Sequence, residues 1–468
     1  MSSLLASLGA SFSAFFGFKA YVILPVFMLV LALAARMRPK EAILASLRIA
    51  AGFSGIFIVF NFFVGQIGPA IKAIIALRGL DYPVVDVGWP PLAAITWSSF
   101  IAPLCIPLVI LLNLGMLLVR ATKTLYIDLW NYWHFAFLGA LLMSATGSVP
   151  VALAGTLAIA AYNIKTCEWT RPWVKRETGL EGIAISPLSV AGLLPYAVAM
   201  DRLFGAIPGL RRLDWNPSRA RKGGKAAGLL EEPMAIGFLV GLFLSVFAGY
   251  GLKETLETSV NIAAVMFVLP RCGGLIGEGM GAVSLAVKTL VERRFAGMRG
   301  LSIAVDTGVL LGNPSVTATG LVLIPVSLLL AFVLPGNRVI PLGDLPNLIS
   351  IMSVTTIAMG GNVVRAVLAG IPVVATFMLF SSALAPVITR LSAQAGLAAA
   401  AAGQEITAFT DGGSQVRYWM YWLFQGNLAA LALAPAVAAL LWYTWKRHKA
   451  LSLEEEAGKA SPGSAGVR

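Results

Sequence analysis

Charge is the scarcest resource in this sequence. Only 12% of its 468 residues are Asp, Glu, Lys or Arg, about half of the ~25% found in a soluble globular domain. Histidine is nearly missing, with His134 and His448 the two examples. Cysteine is scarce too: Cys105, Cys167 and Cys272 stand far apart and form no C-x-x-C pair. That spacing supports neither a disulfide framework nor a metal site. No G-x-x-x-x-G-K-[ST] loop occurs, which excludes ATP hydrolysis by that route. Nothing resembles a phosphorylatable His or Cys domain, and no cofactor is implied. Residues 1–18 have no basic run ahead of their apolar stretch, so no cleavable signal peptide is expected.

What is present is apolar sequence. The chain is 58% hydrophobic and its mean hydropathy is +0.83. Repeated apolar runs of about 20 residues are long enough to cross a bilayer as helices. A spanning segment must satisfy its own backbone hydrogen bonds, and the short alternating strands of a membrane barrel are not seen. The expected fold class is an all-α polytopic membrane protein. Eleven spans are read, at 15–35, 43–67, 100–119, 131–147, 149–166, 233–250, 258–276, 316–335, 345–361, 366–388 and 421–444.

The net charge is +13, from 35 basic and 22 acidic residues. In a membrane protein this excess marks cytoplasmic loops rather than a nucleic-acid surface. Arg36, Arg38 and Lys40 put the first loop inside, hence the N-terminus outside. Lys165, Arg171, Lys175 and Arg176 mark a second inside segment, and Lys446, Arg447 and Lys449 put the C-terminus in the cytoplasm. Residues 1–450 read as one integral membrane domain, with a basic cytoplasmic loop at 201–225 and a disordered tail at 451–468. The loop is either a topogenic segment or a dock for an acidic protein face or anionic lipid.

Three apolar segments are not simple spans. Residues 82–99 hold three prolines and Asp86, residues 302–315 hold Asp306 and a Gly-Asn-Pro break, and residues 394–415 end in "FTDGGSQ". These are either external loops or re-entrant hairpins, since irregular backbone survives at membrane depth only inside protein or beside a wet cavity.

An ionisable group within such sequence is a functional candidate by default. In "TKTLYIDLWNYWHFAF" (122–137), Asp128, Asn131 and either Thr124 or His134 are spaced for one helical face. Carboxylate, amide and imidazole beside Trp130, Tyr132 and Trp133 suit a polyhydroxyl ligand. The same pattern also fits an interfacial aromatic belt behind an N-capping Asp. In "LPRCGGLIGEGMGAVS" (269–284), Glu278 lies among glycines, as a candidate base or a solvated acid at a helix end. Asp306 and Asn313 flank the break in "VDTGVLLGNP", and Asn362 and Arg365 sit in "MGGNVVRAVLAG". Arg365 is either an anion ligand or a snorkelling charge. Asp86 and Asp411 are weaker candidates.

The 122–137 stretch belongs to a longer pattern. With "DRLFGAIPGL" (201–210), "EEPMAIGFLVG" (231–241), "VLPRCGGLIGEGM" (268–280), the run from Asp306 to Leu345 and "GGNVVRAVLAGIP" (360–372), the chain resembles the galactitol-type enzyme IIC of the bacterial phosphoenolpyruvate-dependent sugar phosphotransferase system. The ascorbate permease belongs to the same superfamily. The resemblance covers nearly all of the membrane part. It implies a homodimer of eleven-span protomers, each with a V-shaped dimerisation domain (first, second, sixth and seventh spans) and a mobile core domain with two re-entrant hairpins. It implies elevator-type transport of a polyol, phosphorylated at the inner face by a phosphocysteine of a separate IIB protein that IIA recharges. On this reading Asp128, Asn131, His134, Asp306, Asn313 and Asn362 hold hydroxyls and Glu278 is the base. The family's pattern has His at Asn313 and a charged residue at Gly360. Asn hydrogen-bonds a hydroxyl but cannot shuttle a proton, which leaves the substrate open between galactitol and another alditol or sugar. The alternative class is a secondary polyol transporter driven by H⁺ or Na⁺, with Asp128, Glu278 or Asp306 as the coupling group.

Overall fold

A computed structural model describes residues 20–78, 82–220, 233–294, 301–311, 313–396 and 404–460. The expected outside N-terminus, the end of the basic loop and the end of the tail lie outside these residues.

Helices α1 (Ala20–Ala34) and α2 (Pro39–Arg78) are joined by a turn in which Arg36 takes a left-handed φ of 62°. Pro39 suits a first helical position, where its missing N–H would have no partner, and Glu41 complements the helix dipole. Strand β1 (Val84–Asp86) then turns through Gly88, at φ 77°, into helix α3 (Trp89–Trp97). Helix α4 (Ile101–Leu118) leads to strand β2 (Thr124–Leu125), a 3-10 turn at Leu129–Tyr132 and helix α5 (Trp133–Thr146). Gly147, left-handed at φ 65°, ends α5. Ser148 then caps α6 (Val149–Thr178) by accepting from the Val151 N–H.

Strand β3 (Ile183–Ile185) is followed by α7 (Leu188–Ala191) and α8 (Leu194–Ala206). Two long helices come next, α9 (Pro233–Phe247) and α10 (Leu252–Arg294). Strand β4 (Ser302–Val305), α11 (Gly308–Leu311) and α12 (Pro314–Val333) repeat the strand–turn–helix form. Strand β5 (Val339–Ile340) enters a 3-10 turn at Leu345–Asn347 and the short helices α13 (Leu348–Ile351) and α14 (Ser353–Ala358). Helix α15 (Val363–Gln394), strand β6 (Glu405–Thr407), α16 (Gln415–Leu423) and α17 (Leu428–Ala460) complete the chain.

The protein is mostly helical, and seven helices among the described residues are long and apolar enough to cross a membrane. They are Pro39–Phe63, Ile101–Leu118, Val149–Thr178, Leu252–Val287, Pro314–Val333, Val363–Gln394 and Leu428–Glu454. The segment expected as a span at 345–361 is instead a chain of short helical pieces, ending at Gly360 and Gly361 with φ of 65° and 75°. Residues 451–460, expected in the tail, extend α17.

Helices α1, α2, α9 and α10 pack mainly on one another. Gly237 and Gly241 let α9 approach α10 closely: a Cβ on Gly241 would lie 2.5 Å from the Ser259 Cα, and one on Gly237 2.8 Å from the Ala263 Cα. Small residues at such crossings replace the hydrophobic drive that is missing between helices in lipid. The other elements surround two small sheets. One has the order β5-β1-β6 and the other β2-β4-β3, and every pairing is parallel. Val84 pairs with both Val339 and Glu405, and Ile303 with both Leu125 and Ile183. Strands so far apart in sequence meet because each is a short extended break inside an apolar segment. Its backbone groups must find partners away from lipid.

Candidate functional site

All six strands deliver the chain to one cavity. Trp89 follows β1, Trp130 and Asn131 follow β2, Pro187 follows β3, Asp306 follows β4, Pro346 and Asn347 follow β5, and Asp411 follows β6; all line the same space of about 460 Å³. This lies within the ~300–1,000 Å³ range of small-molecule sites. The two sheets therefore present their carboxyl ends to a common centre, and the helical turns that follow begin there. Broken helices with their N-termini at a central site are the usual transporter solution. A larger groove of about 990 Å³, between α6, α15, α16 and α17, is apolar and has no carboxylate in its lining.

One wall comes from the β2-β4-β3 sheet. The Asn131 Nδ2 donates to Asp306 Oδ2 at 2.9 Å and to Asp128 Oδ2 at 2.7 Å. Ser186 Oγ donates to the same Asp128 oxygen at 2.6 Å. Thr307 Oγ1 donates to Asp306 Oδ1 at 3.0 Å and meets Ser350 Oγ at 2.6 Å. Asp306 is exposed to the cavity, whereas Asp128 sits behind Asn131 and does not line it.

The opposite wall comes from the β5-β1-β6 sheet. Asn347 Nδ2 lies 3.5 Å from Asp411 Oδ2 and 3.2 Å from Thr410 Oγ1, whose hydroxyl donates to Asp344 Oδ2 at 2.5 Å. His134 Nδ1 stands 3.4 Å from Asp411 Oδ1 and 3.3 Å from Arg417 Nη2. It can donate to the acid or accept from the guanidinium, according to tautomer. Arg417 is fully buried, donates to the Asp411 carbonyl and lies 4.7 Å over the Phe137 ring. Burial of a cation is tolerable here because an acid, a carbonyl and an aromatic face surround it.

Trp89, Trp130 and Trp133 supply flat faces. The Trp89 and Trp130 rings meet edge to face at 6.0 Å, and Trp133 stacks on His134 at 4.0 Å. Trp130, Tyr132 and Trp133 are buried, so they do not form a belt against lipid. Donors, acceptors and rings on facing walls match the needs of a molecule with many hydroxyls. Among the described residues no group of His, Cys, Asp and Glu is placed to hold a metal.

The relationships of the chain agree with this architecture. A family model, EIIC-GAT, described as the PTS system sugar-specific permease component, matches residues 14–403. The chain belongs to that permease family. The galactitol-specific EIIC component of Escherichia coli K12 is 32% identical over 437 residues, covering 93% of this chain and 96% of that protein. A second protein of the same strain, described only as a candidate permease IIC component, is 34% identical over 391 residues, covering 84% of this chain and 89% of its own length.

Of the polar residues singled out in the permease's sequence, Asn131, His134 and Asp306 line the cavity. Asp128 holds Asn131 from behind through that residue's side-chain amide and makes no side-chain cap hydrogen bond on the 3-10 turn it precedes. Thr124 lies in β2 and bonds Ser302 Oγ at 2.7 Å, because the 122–137 stretch is strand and turn before it is helix. Glu278 is not in the cavity lining; it stands on an exposed face of α10 with Gly274 and Gly281. The helix remains continuous through the glycines, so nothing turns this carboxylate inward.

Asn313 and Asn362 are also elsewhere, for the same local reason. Each is an N-cap. Asn313 Oδ1 accepts from the Ser315 and Val316 N–H groups at the start of α12 and from Ser218 Oγ at 2.6 Å. Asn362 Oδ1 accepts from the Arg365 N–H, while its Nδ2 donates to the Leu213 carbonyl at 2.8 Å and to Asp214 Oδ1 at 3.2 Å. Both asparagines therefore fasten the described part of the basic loop to helix starts. Gly360 takes a left-handed φ of 65° and its carbonyl accepts from Asn216 Nδ2 at 2.7 Å. Arg365 pairs with Asp201 at 3.4 Å. Asn362→Ala is expected to cost about 1 kcal/mol of stability through the lost cap and to leave substrate affinity unchanged. Thermal unfolding and equilibrium binding of the purified variant check this; weaker binding at an unchanged melting temperature would return Asn362 to the substrate.

Ser186, Asn347, Ser350 and Thr307 escaped the sequence reading, because short uncharged side chains near apolar runs carry no periodic signal. Asp344 and Arg417 also went unremarked, although a buried charge in so apolar a chain is itself a signal.

Proposed function

We propose that this chain is the IIC permease subunit of a phosphotransferase system for an alditol or sugar of the galactitol kind. The polyol binds in the 460 Å³ cavity. Asn131, Asp306, Asn347, Asp411 and His134 hold its hydroxyls, and Trp89, Trp130 and Trp133 take its C–H faces. Asp128 and Ser186 position Asn131. Asp306, the carboxylate most open to the cavity, accepts the proton of the reacting hydroxyl. A phosphocysteine on a separate IIB protein donates the phosphoryl group, and IIA recharges IIB. Positioning and electrostatics are most of what phosphoryl transfer asks of the acceptor side.

We further propose a homodimer of multi-span protomers, with the N-terminus outside and the C-terminus in the cytoplasm. The mutual packing of α1, α2, α9 and α10 supports a separate dimerising unit. The remaining elements would move against it as an elevator. The observation that carries the reading is the convergence of six strand ends on one polar, aromatic cavity.

Uptake and phosphorylation by cells carrying the cognate IIA and IIB test it. Asn131→Ala and Asp128→Asn are expected to weaken substrate affinity roughly tenfold, in keeping with about 1.5 kcal/mol for a hydrogen bond to a charged partner. Unchanged affinity in both would make the 122–137 stretch a structural brace. Accumulation of unmodified polyol in proteoliposomes on an ion gradient, without IIB, would replace the phosphotransferase reading with a secondary transporter.

A further inference from the structure

A second large cavity lies far from the polyol site in chemistry. It has a volume of about 1290 Å³, is open on one side and is lined by the α1–α2 turn, α2, α10 and α4. Its walls are apolar: Leu31 from α1, Leu44 from α2, Ile110 and Leu114 from α4, and Leu285 and Leu290 from α10. Its rim is cationic, with Arg36, Arg38, Arg48 and Arg293 against a single acid, Glu41. Glu41 is engaged by Arg38 at 3.8 Å. Among the described residues Arg36, Arg48 and Arg293 have no ion-pair partner.

The placement of the charges is regular. Glu41, Leu44 and Arg48 fall on one face of α2, and Ala282, Ala286, Thr289 and Arg293 on one face of α10. Gly52 packs on Cys272 and Ile276, and Gly279 on Ala45 and Ile49, so α2 and α10 run antiparallel; Arg36, ahead of α2, and Arg293, at the end of α10, therefore mark one end of the space and Arg48 lies toward the other. Three of the helices involved, α2, α4 and α10, are long and apolar enough to span a membrane. The cavity also straddles the two bundles, because α4 packs with α5 and α6 rather than with α2 and α10.

We propose that this cavity seats an anionic phospholipid at the joint between the bundles. Its phosphodiester lies between Arg36 and Arg293, and an acyl chain runs down the apolar wall between α4 and α10. Guanidinium groups match phosphate geometry, and basic pockets between spanning helices hold anionic headgroups. An acidic protein face would satisfy the arginines but not the apolar floor beneath them, so the lipid is the better fit.

The test is native mass spectrometry of the full-length protein in phosphatidylcholine nanodiscs doped with phosphatidylglycerol. The lipid-binding measurement needs no substrate, IIA or IIB, so its failure is separate from failure of the transport reading. Wild type is expected to retain phosphatidylglycerol. The combined Arg36→Gln and Arg293→Gln variant should lose roughly 30-fold in that affinity. The matching Arg→Lys combination should keep most of it, which separates lost charge from lost fold. Equal retention of phosphatidylcholine by wild type, or unchanged phosphatidylglycerol binding in the Gln combination, would overturn the proposal. Displacement of the lipid by inorganic phosphate alone would reduce the site to an anion pocket and also overturn it. So would a Gln combination that keeps its lipid but loses IIB-dependent phosphorylation, since that outcome makes the surface a protein dock.

Discussion

Replacing Asp86 by alanine is expected to leave little folded protein. The carboxylate is fully buried and accepts four backbone N–H groups. Oδ1 takes Gly88 at 3.2 Å and Phe409 at 3.0 Å; Oδ2 takes Leu342 at 2.8 Å and Asp344 at 3.1 Å. These donors belong to the turns after β1, β6 and β5 respectively, so one side chain gathers all three strand ends of its sheet. A buried donor left without a partner costs about 1–3 kcal/mol, hence roughly 4–12 kcal/mol for four. That is comparable with a whole domain's net stability of ~5–15 kcal/mol. Asp86→Asn, which keeps one acceptor oxygen, should be less damaged. Detergent extraction followed by size-exclusion and thermal unfolding measures the effect. A monodisperse Asp86→Ala protein melting with wild type would refute the role of Asp86 as the tie of this sheet.

The second large effect is expected in chemistry rather than in stability. Asp306→Asn keeps the shape of a cavity-facing side chain but removes its ability to take a proton. Loss of a general base typically slows a reaction ~10²–10⁴-fold. Phosphorylation of substrate by phosphorylated IIB in membrane vesicles should fall by that factor while the protein stays folded, because Asp306 is exposed and its partners are Asn131 and Thr307. Glu278→Gln serves as the companion measurement. Glu278 lies outside the cavity lining, so this variant is expected to keep the wild-type rate. The opposite pattern, with Glu278→Gln inactive and Asp306→Asn unaffected, would move the base to α10 and require an arrangement of the bundles in which that helix face meets the substrate.

The larger features of this permease were legible without coordinates. The scarcity of charge and the long apolar runs require membrane helices, since no other element closes its hydrogen bonds in lipid. Prolines, glycines and an acid inside 82–99 and 302–315 marked places where a helix cannot continue, and both segments are strand followed by short helix. The candidate site was legible only in part. A helical-face argument placed Asp128, Asn131 and His134 together, yet β2 and a 3-10 turn occupy much of that stretch. Asn313 and Asn362 are N-caps outside the cavity lining, and spacing does not separate the two roles because capping and binding draw on the same residue types.

Local pattern was enough for class, for the positions of the breaks and, through several ordered motifs, for the family. It was not enough for the cavity. Asn131 meets an acid 175 residues away and Asp86 binds a backbone N–H 323 residues away. Helical periodicity compares residues three or four apart and is blind to such pairs. Which polar groups face each other was decided by the parallel pairing of six short strands, and that pairing arises because each break, held in apolar surroundings, must find its hydrogen-bond partners in another.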